Sequence, residues 1–189
     1  MEIPLHLQLR GNYPVSIDPK WRLPLPSGIR TDLMNLLAWQ QGQAGGSIIG
    51  SAGGENATTN TAQDEKKDAD ESPTTLFLTV TLSQRLGIFT PAGFQEYQRR
   101  LDNLPPLDAD TETILAQVDG LTYKMPVDKQ FRVRLPIELC QATGLEKGQQ
   151  VTVVGRRSYL EVWDKALWEK SSREAIKTFP QLLKNLRSS

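Results

Sequence analysis

The sequence predicts an α+β, β-rich protein made of two copies of one unit, and three observations carry that prediction. The first is a construction that occurs twice. Asp18 to Pro26 reads DPKWRLPLP and Asp128 to Pro136 reads DKQFRVRLP, each an Asp, three residues, an Arg, three residues and a Pro. The second is its frame. Each copy has a Tyr five residues before its Asp (Tyr13, Tyr123), an aromatic immediately before its Arg (Trp21, Phe131) and an aliphatic residue three after its Pro (Ile29, Leu139). The third is the continuation, where Ile88-Phe89-Thr90 with Phe94 echoes Val162-Trp163-Asp164 with Trp168 as strand end, helix cap and helical aromatic. A unit that recurs in this way completes its core against its sibling.

In chain order, residues 5 to 17 read as a strand, with Tyr13, Val15 and Ile17 at period two, entering the first Asp turn. Arg22 to Leu25 returns as the partner strand. Pro26 ends it, and Ser27 caps a helix carrying Ile29, Leu33, Met34, Leu36 and Leu37 that fades by Gln41. The Gly-, Ser- and acid-rich run from about 41 to 75 has almost nothing to bury and reads as a disordered insert. Leu76, Leu78, Val80 and Leu82 alternate strictly as a strand, followed by a turn and the short strand Leu86 to Phe89. Thr90-Pro91 opens a helix to about Asn103, and a second short helix covers about Asp108 to Val118.

The second unit is more compact. Leu121 to Val127 alternates into the Asp128 turn, Arg132 to Leu135 returns, and Pro136 opens a short helix that Gly144 stops. Val151 to Val154 and Leu160 to Trp163 form a hairpin around Arg156-Arg157. A helix starts at Asp164, and Pro180 is expected to interrupt it. The division follows: unit 1 over 9–103 with the insert inside it, a helical linker over 104–120, unit 2 over 121–170 and a helical tail over 171–189. Spacing supports the insert, because Asp18 to Phe94 spans 76 positions and Asp128 to Trp168 spans 40, leaving 36 to be housed in the first unit.

The chain is neutral overall but not evenly so. Residues 41–75 hold Lys66 and Lys67 against six acids, a net of −4, so the remainder carries +4. A weakly basic folded part suits a phosphate-bearing partner. Cys140 is the single cysteine, which excludes an internal disulfide framework and fits a reducing cytoplasm. No stretch approaches the ~20 apolar residues of a membrane span, and the N-terminus lacks the apolar core of a signal peptide.

In each turn the carboxylate of Asp18 or Asp128 can accept turn amides and orient the guanidinium of Arg22 or Arg132 through a charge-assisted hydrogen bond. Lys20 beside Arg22, and Lys129 and Arg134 beside Arg132, make a basic cluster at the base of each hairpin, suited to phosphate oxygens. Catalysis is the weakest reading, since His6 and Cys140 have no adjacent partner and no phosphate loop or paired-acid site is apparent.

GNYPVSIDPKWRLPLPSGIR and GLTYKMPVDKQFRVRLPIEL resemble the two copies of the signature of the MraZ family of bacterial transcriptional regulators, and YLEVWDKALW is similar to that family's closing strand and helix. The resemblance covers most of residues 9 to 170 outside the insert. It implies tandem SpoVT/AbrB-like swapped-hairpin units forming a pseudo-twofold double-split β-barrel with flanking helices. It also implies a ring-shaped homo-oligomer, nucleoid-associated in the cytoplasm, that binds repeated promoter elements of the cell-division and cell-wall gene cluster as double-stranded DNA, with no cofactor, metal, membrane or small-molecule substrate. The residues expected to contact DNA are Arg22, Arg132, Lys20, Lys129, Arg134 and Arg30, with Asp18 and Asp128 as orienters.

Two departures stand out. Trp21 and Phe131 replace the family's Gly before the motif Arg, and its Arg after the Pro is kept as Arg30 but is Cys140 in the second copy. If the Gly position takes positive φ, either the turn is reshaped or each ring finds a burial site. The competing expectation is an oligomeric interaction protein of the same fold whose DNA binding is lost or altered.

Overall fold

Two antiparallel layers organise the chain, a six-stranded sheet ordered β1-β7-β8-β4-β3-β5 and a two-stranded ribbon of β2 and β6. The computed structural model describes residues 3–44, 74–104 and 109–187. The elements are β1 (Asn12–Ser16), β2 (Arg22–Pro24), α1 (Ser27–Ala44), β3 (Thr75–Val80), β4 (Leu86–Phe89), α2 (Pro91–Asp102), α3 (Ala109–Gly120), β5 (Tyr123–Pro126), β6 (Arg132–Arg134), α4 (Ile137–Ala142), β7 (Gln150–Gly155), β8 (Tyr159–Asp164) and α5 (Lys165–Arg187). The fold is mixed α+β, with a largely antiparallel sheet and flanking helices.

The duplication seen in the sequence is written into the pairing. Exchanging β1 with β5, β3 with β7 and β4 with β8 returns the same sheet order read from the other edge. Register obeys the same exchange: Tyr13 lies opposite Val153 and Tyr123 opposite Leu78, while Ile88 lies opposite Leu160 and Leu86 opposite Val162. In the ribbon, Arg22 faces Arg134, Arg132 faces Pro24, and Leu23 faces Val133. The pseudo-twofold axis therefore runs past the Leu23–Val133 pair in the ribbon and the Gly87–Glu161 pair in the sheet. Each unit's opening strand pairs in the other unit's sheet, so the halves share hydrogen bonds as well as a core.

One sheet face packs on the ribbon, α1 and α4 through Leu76, Leu78, Ile88, Val151, Val153 and Val162, together with Leu23, Ile29, Leu36, Val133 and Leu139, all 2% exposed or less. Each such side chain contributes about 1.5–3 kcal/mol on burial. The other face carries α2 and α3 over an aromatic cluster, with Phe77 stacked on Phe94 at 4.7 Å and Phe89 on Tyr159 at 4.5 Å. Glu161 is buried on the axis with its charge answered: Ser83 Oγ donates at 2.8 Å, Trp163 Nε1 at 3.1 Å and the Tyr159 hydroxyl at 3.3 Å, with Arg156 Nε at 3.5 Å.

Several boundaries differ from the sequence expectation. The expected strand over 5–17 is a 3₁₀ turn at Leu5–Leu7, a single bridge from Leu9 to Arg157, and then β1. Gly11 at φ 86 breaks its continuity, a conformation that an L side chain avoids. Helix α1 does not fade at Gln41 but continues to Ala44. Of the run expected to be disordered, 41–44 are helical and Thr75 lies in β3, while 45–73 lie outside the described residues. Leu82 is not in β3 but in a tight turn closed by Gln84 N–H to the Thr81 carbonyl, and it is 53% exposed.

Pro180 does not interrupt α5. It removes one helical N–H, and because this stretch is exposed, water can take up the carbonyl left unpaired. The Thr90 cap is as expected, its hydroxyl accepting from Gly93 N–H at 3.0 Å.

Candidate nucleic-acid interface

The Asp turns that join β1 to β2 and β5 to β6 close in the same way. Asp18 N–H donates to the Arg22 carbonyl at 2.9 Å and Trp21 N–H to the Asp18 carbonyl at 3.0 Å; the equivalents from Asp128 to Arg132 and Phe131 to Asp128 are 2.9 and 2.8 Å. Asp18 Oδ1 accepts the backbone N–H groups of Lys20 and Arg22 at 2.8 and 2.9 Å. Its Oδ2 accepts Nε and Nη2 of Arg22, both at 2.6 Å. Asp128 does the same with Gln130 N–H and Arg132 N–H at 2.9 Å, and with Arg132 Nε and Nη2 at 2.8 Å.

Each aspartate thus orients its arginine while spending one oxygen on the turn backbone. Partial burial pushes the Asp18 carboxyl up, but the Arg22 N–H, the Arg22 guanidinium and the Lys20 N–H outweigh it, and its pKa lies below the ordinary Asp value. For Asp128 the Arg132 guanidinium is the largest cause of the same lowering; it overcomes burial, with the Arg132 and Gln130 N–H groups adding to it.

The ribbon sets the direction of these groups. Along β2 and β6, Leu23 and Val133 are fully buried, while Arg22 and Arg132 are half-buried and Arg134 is exposed on the opposite side. Lys20 and Lys129 are exposed at the turn corners. Five cations and two carboxylates therefore gather on the ribbon and its turns. Arg30, near the start of α1, lies across the pseudo-axis with its guanidinium 4.1 Å above the Phe131 ring.

The sequence-expected site residues are brought together, and the aromatic positions resolve as burial rather than reshaping. Trp21 and Phe131 take φ 58 and 57. The left-handed conformation costs each about 1–3 kcal/mol, and the rings pack against the main core. Lys147 was not marked by any motif, yet its Nζ lies 5.6 Å from the Trp21 ring centroid. Its loop is bounded by Gly144 and Gly148, which take φ 68 and 73.

The chemical candidates elsewhere are not assembled into a site. Cys140 is fully buried, and burial pushes its thiol up to about 12, which leaves it protonated and unreactive. His6 is exposed in the 3₁₀ turn. Among the described residues no group of three His, Cys, Asp or Glu could hold a metal ion, and no helix is long and apolar enough to cross a membrane.

Residues 120–183 match the family model for the MraZ protein. Curated relatives named transcriptional regulator MraZ are similar over about half the chain. The protein of Mycoplasmopsis synoviae is 29% identical over 96 residues, covering 50% of this chain and 65% of the relative. That of Methylococcus capsulatus is 29% identical over 99 residues, covering 52% and 64%, and that of Desulforamulus reducens 28% over 109 residues, covering 58% and 75%. The chain thus spans just under two thirds of the length of the first two. The doubled Asp–Arg turn, the register that repeats about one axis and these matches lead to one conclusion: the chain is similar to the MraZ family, through its family model over the second unit and through relatives over about half its length.

Proposed function

We propose that this chain is a sequence-specific DNA-binding transcriptional regulator. In this reading it acts on the nucleoid in the cytoplasm and binds repeated promoter elements of the cell-division and cell-wall gene cluster. The observation that carries the reading is the ribbon, where two buried side chains on the axis turn Arg22, Arg132 and Arg134 outward together, with Lys20, Lys129 and Arg30 beside them. Arg22 and Arg132 are the central contacts, the lysines and Arg134 bind phosphate, and Asp18 and Asp128 hold the guanidiniums in place. The relatives' name, transcriptional regulator, supports the same reading.

The two units are swapped hairpins of a pseudo-twofold double-split barrel, which the shared sheet edges and symmetric register support. A single ribbon binds weakly, and a ring-shaped homo-oligomer gives several ribbons simultaneous access to repeated half-sites at high effective concentration.

The test is fluorescence-anisotropy binding to the DNA upstream of the protein's own gene and to a scrambled duplex, at low and physiological salt. Preferred, salt-sensitive binding is expected, with Arg22→Ala lowering affinity about tenfold or more. One observation favours a second reading: Nε and Nη2 of both motif arginines are already committed to carboxylates. Absence of binding to either duplex would select it, an oligomeric interaction protein of MraZ fold. Deletion of 45–73, which spares the helical residues to Ala44, then asks whether a protein partner uses the insert.

A further inference from the structure

We infer that Lys147 is a DNA-contacting residue of the first turn, supplying there the cation that Arg30 supplies to the second. The inference rests on the DNA-binding reading and adds to it a residue outside both motifs.

The argument starts from an exchange between positions that the pseudo-twofold relates. Arg30 and Cys140 are equivalent, each four residues after its Pro. Arg30 reaches the Phe131 ring of the opposite turn, whereas Cys140 is fully buried and offers no charge to Trp21. The main-chain pairing locates a second equivalent position. Ile17 N–H donates to the Gln149 carbonyl at 3.0 Å, and Val127 N–H donates to the Thr74 carbonyl at 2.8 Å. Ile17 and Val127 each precede the motif Asp, so Gln149 corresponds to Thr74, and Lys147 lies two residues before that clamp in the second unit. The cation beside the second turn is thus Arg30, and beside the first, where Cys140 is buried, it is Lys147.

Lys147 is also held where it can serve. Gly148 takes φ 73, which turns the loop back so that its N–H donates to the Ile17 carbonyl at 2.9 Å. Gln149 braces the loop from within, accepting from Glu146 N–H at 2.7 Å and donating to Asp164 Oδ2 at 2.8 Å. The Lys147 backbone is thus fixed one residue from a clamp on the strand that enters the Asp18 turn. Its exposed ammonium lies over the ring between Lys20 and Arg22. In each turn the aromatic at positive φ is a shelf that sets a cation beside the motif arginine.

The two half-sites are chemically unequal as a result. The second turn adds a stacked guanidinium with a planar donor edge, and the first adds an ammonium, a compact charge suited to one phosphate oxygen.

The test is a salt titration of binding to the upstream DNA and to the scrambled duplex for the full-length protein, Lys147→Ala, Arg22→Ala and Lys170→Ala. Lys170 is an exposed lysine on α5 and controls for net charge. Lys147→Ala is expected to reduce the slope of log affinity against log salt by about one, and to weaken both duplexes by the same factor, with thermal unfolding unchanged. A slope for Lys147→Ala equal to that of Lys170→Ala, with Arg22→Ala still impaired, overturns the assignment of Lys147 alone. Arg22→Ala binding like the unaltered protein instead removes the DNA reading, and this inference with it.

Discussion

The turns at Asp18 and Asp128 share a lock and an aromatic shelf and differ in the cations around them. In both, one carboxylate oxygen takes two backbone N–H groups and the other takes two guanidinium N–H groups, with distances that agree within 0.2 Å. Around the second turn stand Lys129 and Arg134, with Arg30 on the Phe131 ring; around the first stand Lys20 and Lys147, with Pro24 at the position of Arg134. What an Asp–Arg turn needs in order to close is local and was kept twice. What it presents to a partner comes from other segments and has diverged.

The largest test of that shared frame is the axis itself. Leu23 and Val133 face each other there, both at 0% exposure, so each supports both turns. Leu23→Ala is expected to destabilise by about 2–5 kcal/mol, and Val133→Ala by about 0.8 kcal/mol less, for one fewer methylene removed. Urea denaturation measures both. A larger loss at Val133 would break the symmetric picture and mean that the second half carries more of the common core.

The shared frame was legible in the sequence, and the divergence was not. Alternation at Leu76, Leu78 and Val80 marks β3, although Phe77 and Thr79 on its other face are covered as well, by α2 and α3, and Asp18 and Asp128 announce their arginines because the lock spans only four residues. Lys147 could not be found in this way. It reaches Trp21 through hydrogen bonds between residues 17 and 149, a separation that no local pattern encodes. The crossed pairing of β1 with β7 and β3 with β5 is hidden for the same reason. The ends of elements were misjudged where propensity decided against context, as at Gln41 in α1 and at Pro180 in the exposed part of α5.

A finer comparison lies in how each carboxylate is held. For Asp128 the Arg132 side chain is the leading cause of its lowered pKa, whereas for Asp18 the strongest lowering group is the Arg22 backbone N–H, which substitution keeps. Arg132→Gln is therefore expected to raise the Asp128 pKa by more than Arg22→Gln raises that of Asp18, as read from carboxyl-carbon NMR titrations. The sign for stability follows. A carboxyl lowered in the folded state stabilises above its unfolded value, about 3.9, and that stability is lost as pH falls through the folded value. Arg132→Gln should thus shrink the neutral-pH contribution more and move acid unfolding to higher pH. Equal shifts in the two variants would show that the locks are energetically alike as well as geometrically alike.

The smallest expected effect separates the two rings. Trp21 Nε1 is buried with no hydrogen-bond partner, whereas Phe131 in the equivalent place has no polar atom to satisfy. Leaving a buried donor unpaired costs about 1–3 kcal/mol, and exchanging indole for phenyl gives back part of that through lost contact area. Trp21→Phe is therefore expected to stabilise by about 1 kcal/mol, a rise of about 3 °C in Tm for a chain of this length. The reverse change, Phe131→Trp, should destabilise by introducing the same problem into the second turn. A lower Tm for Trp21→Phe would mean that the indole's area and its contact with Lys147 outweigh its unpaired N–H, and that the two rings are not interchangeable shelves.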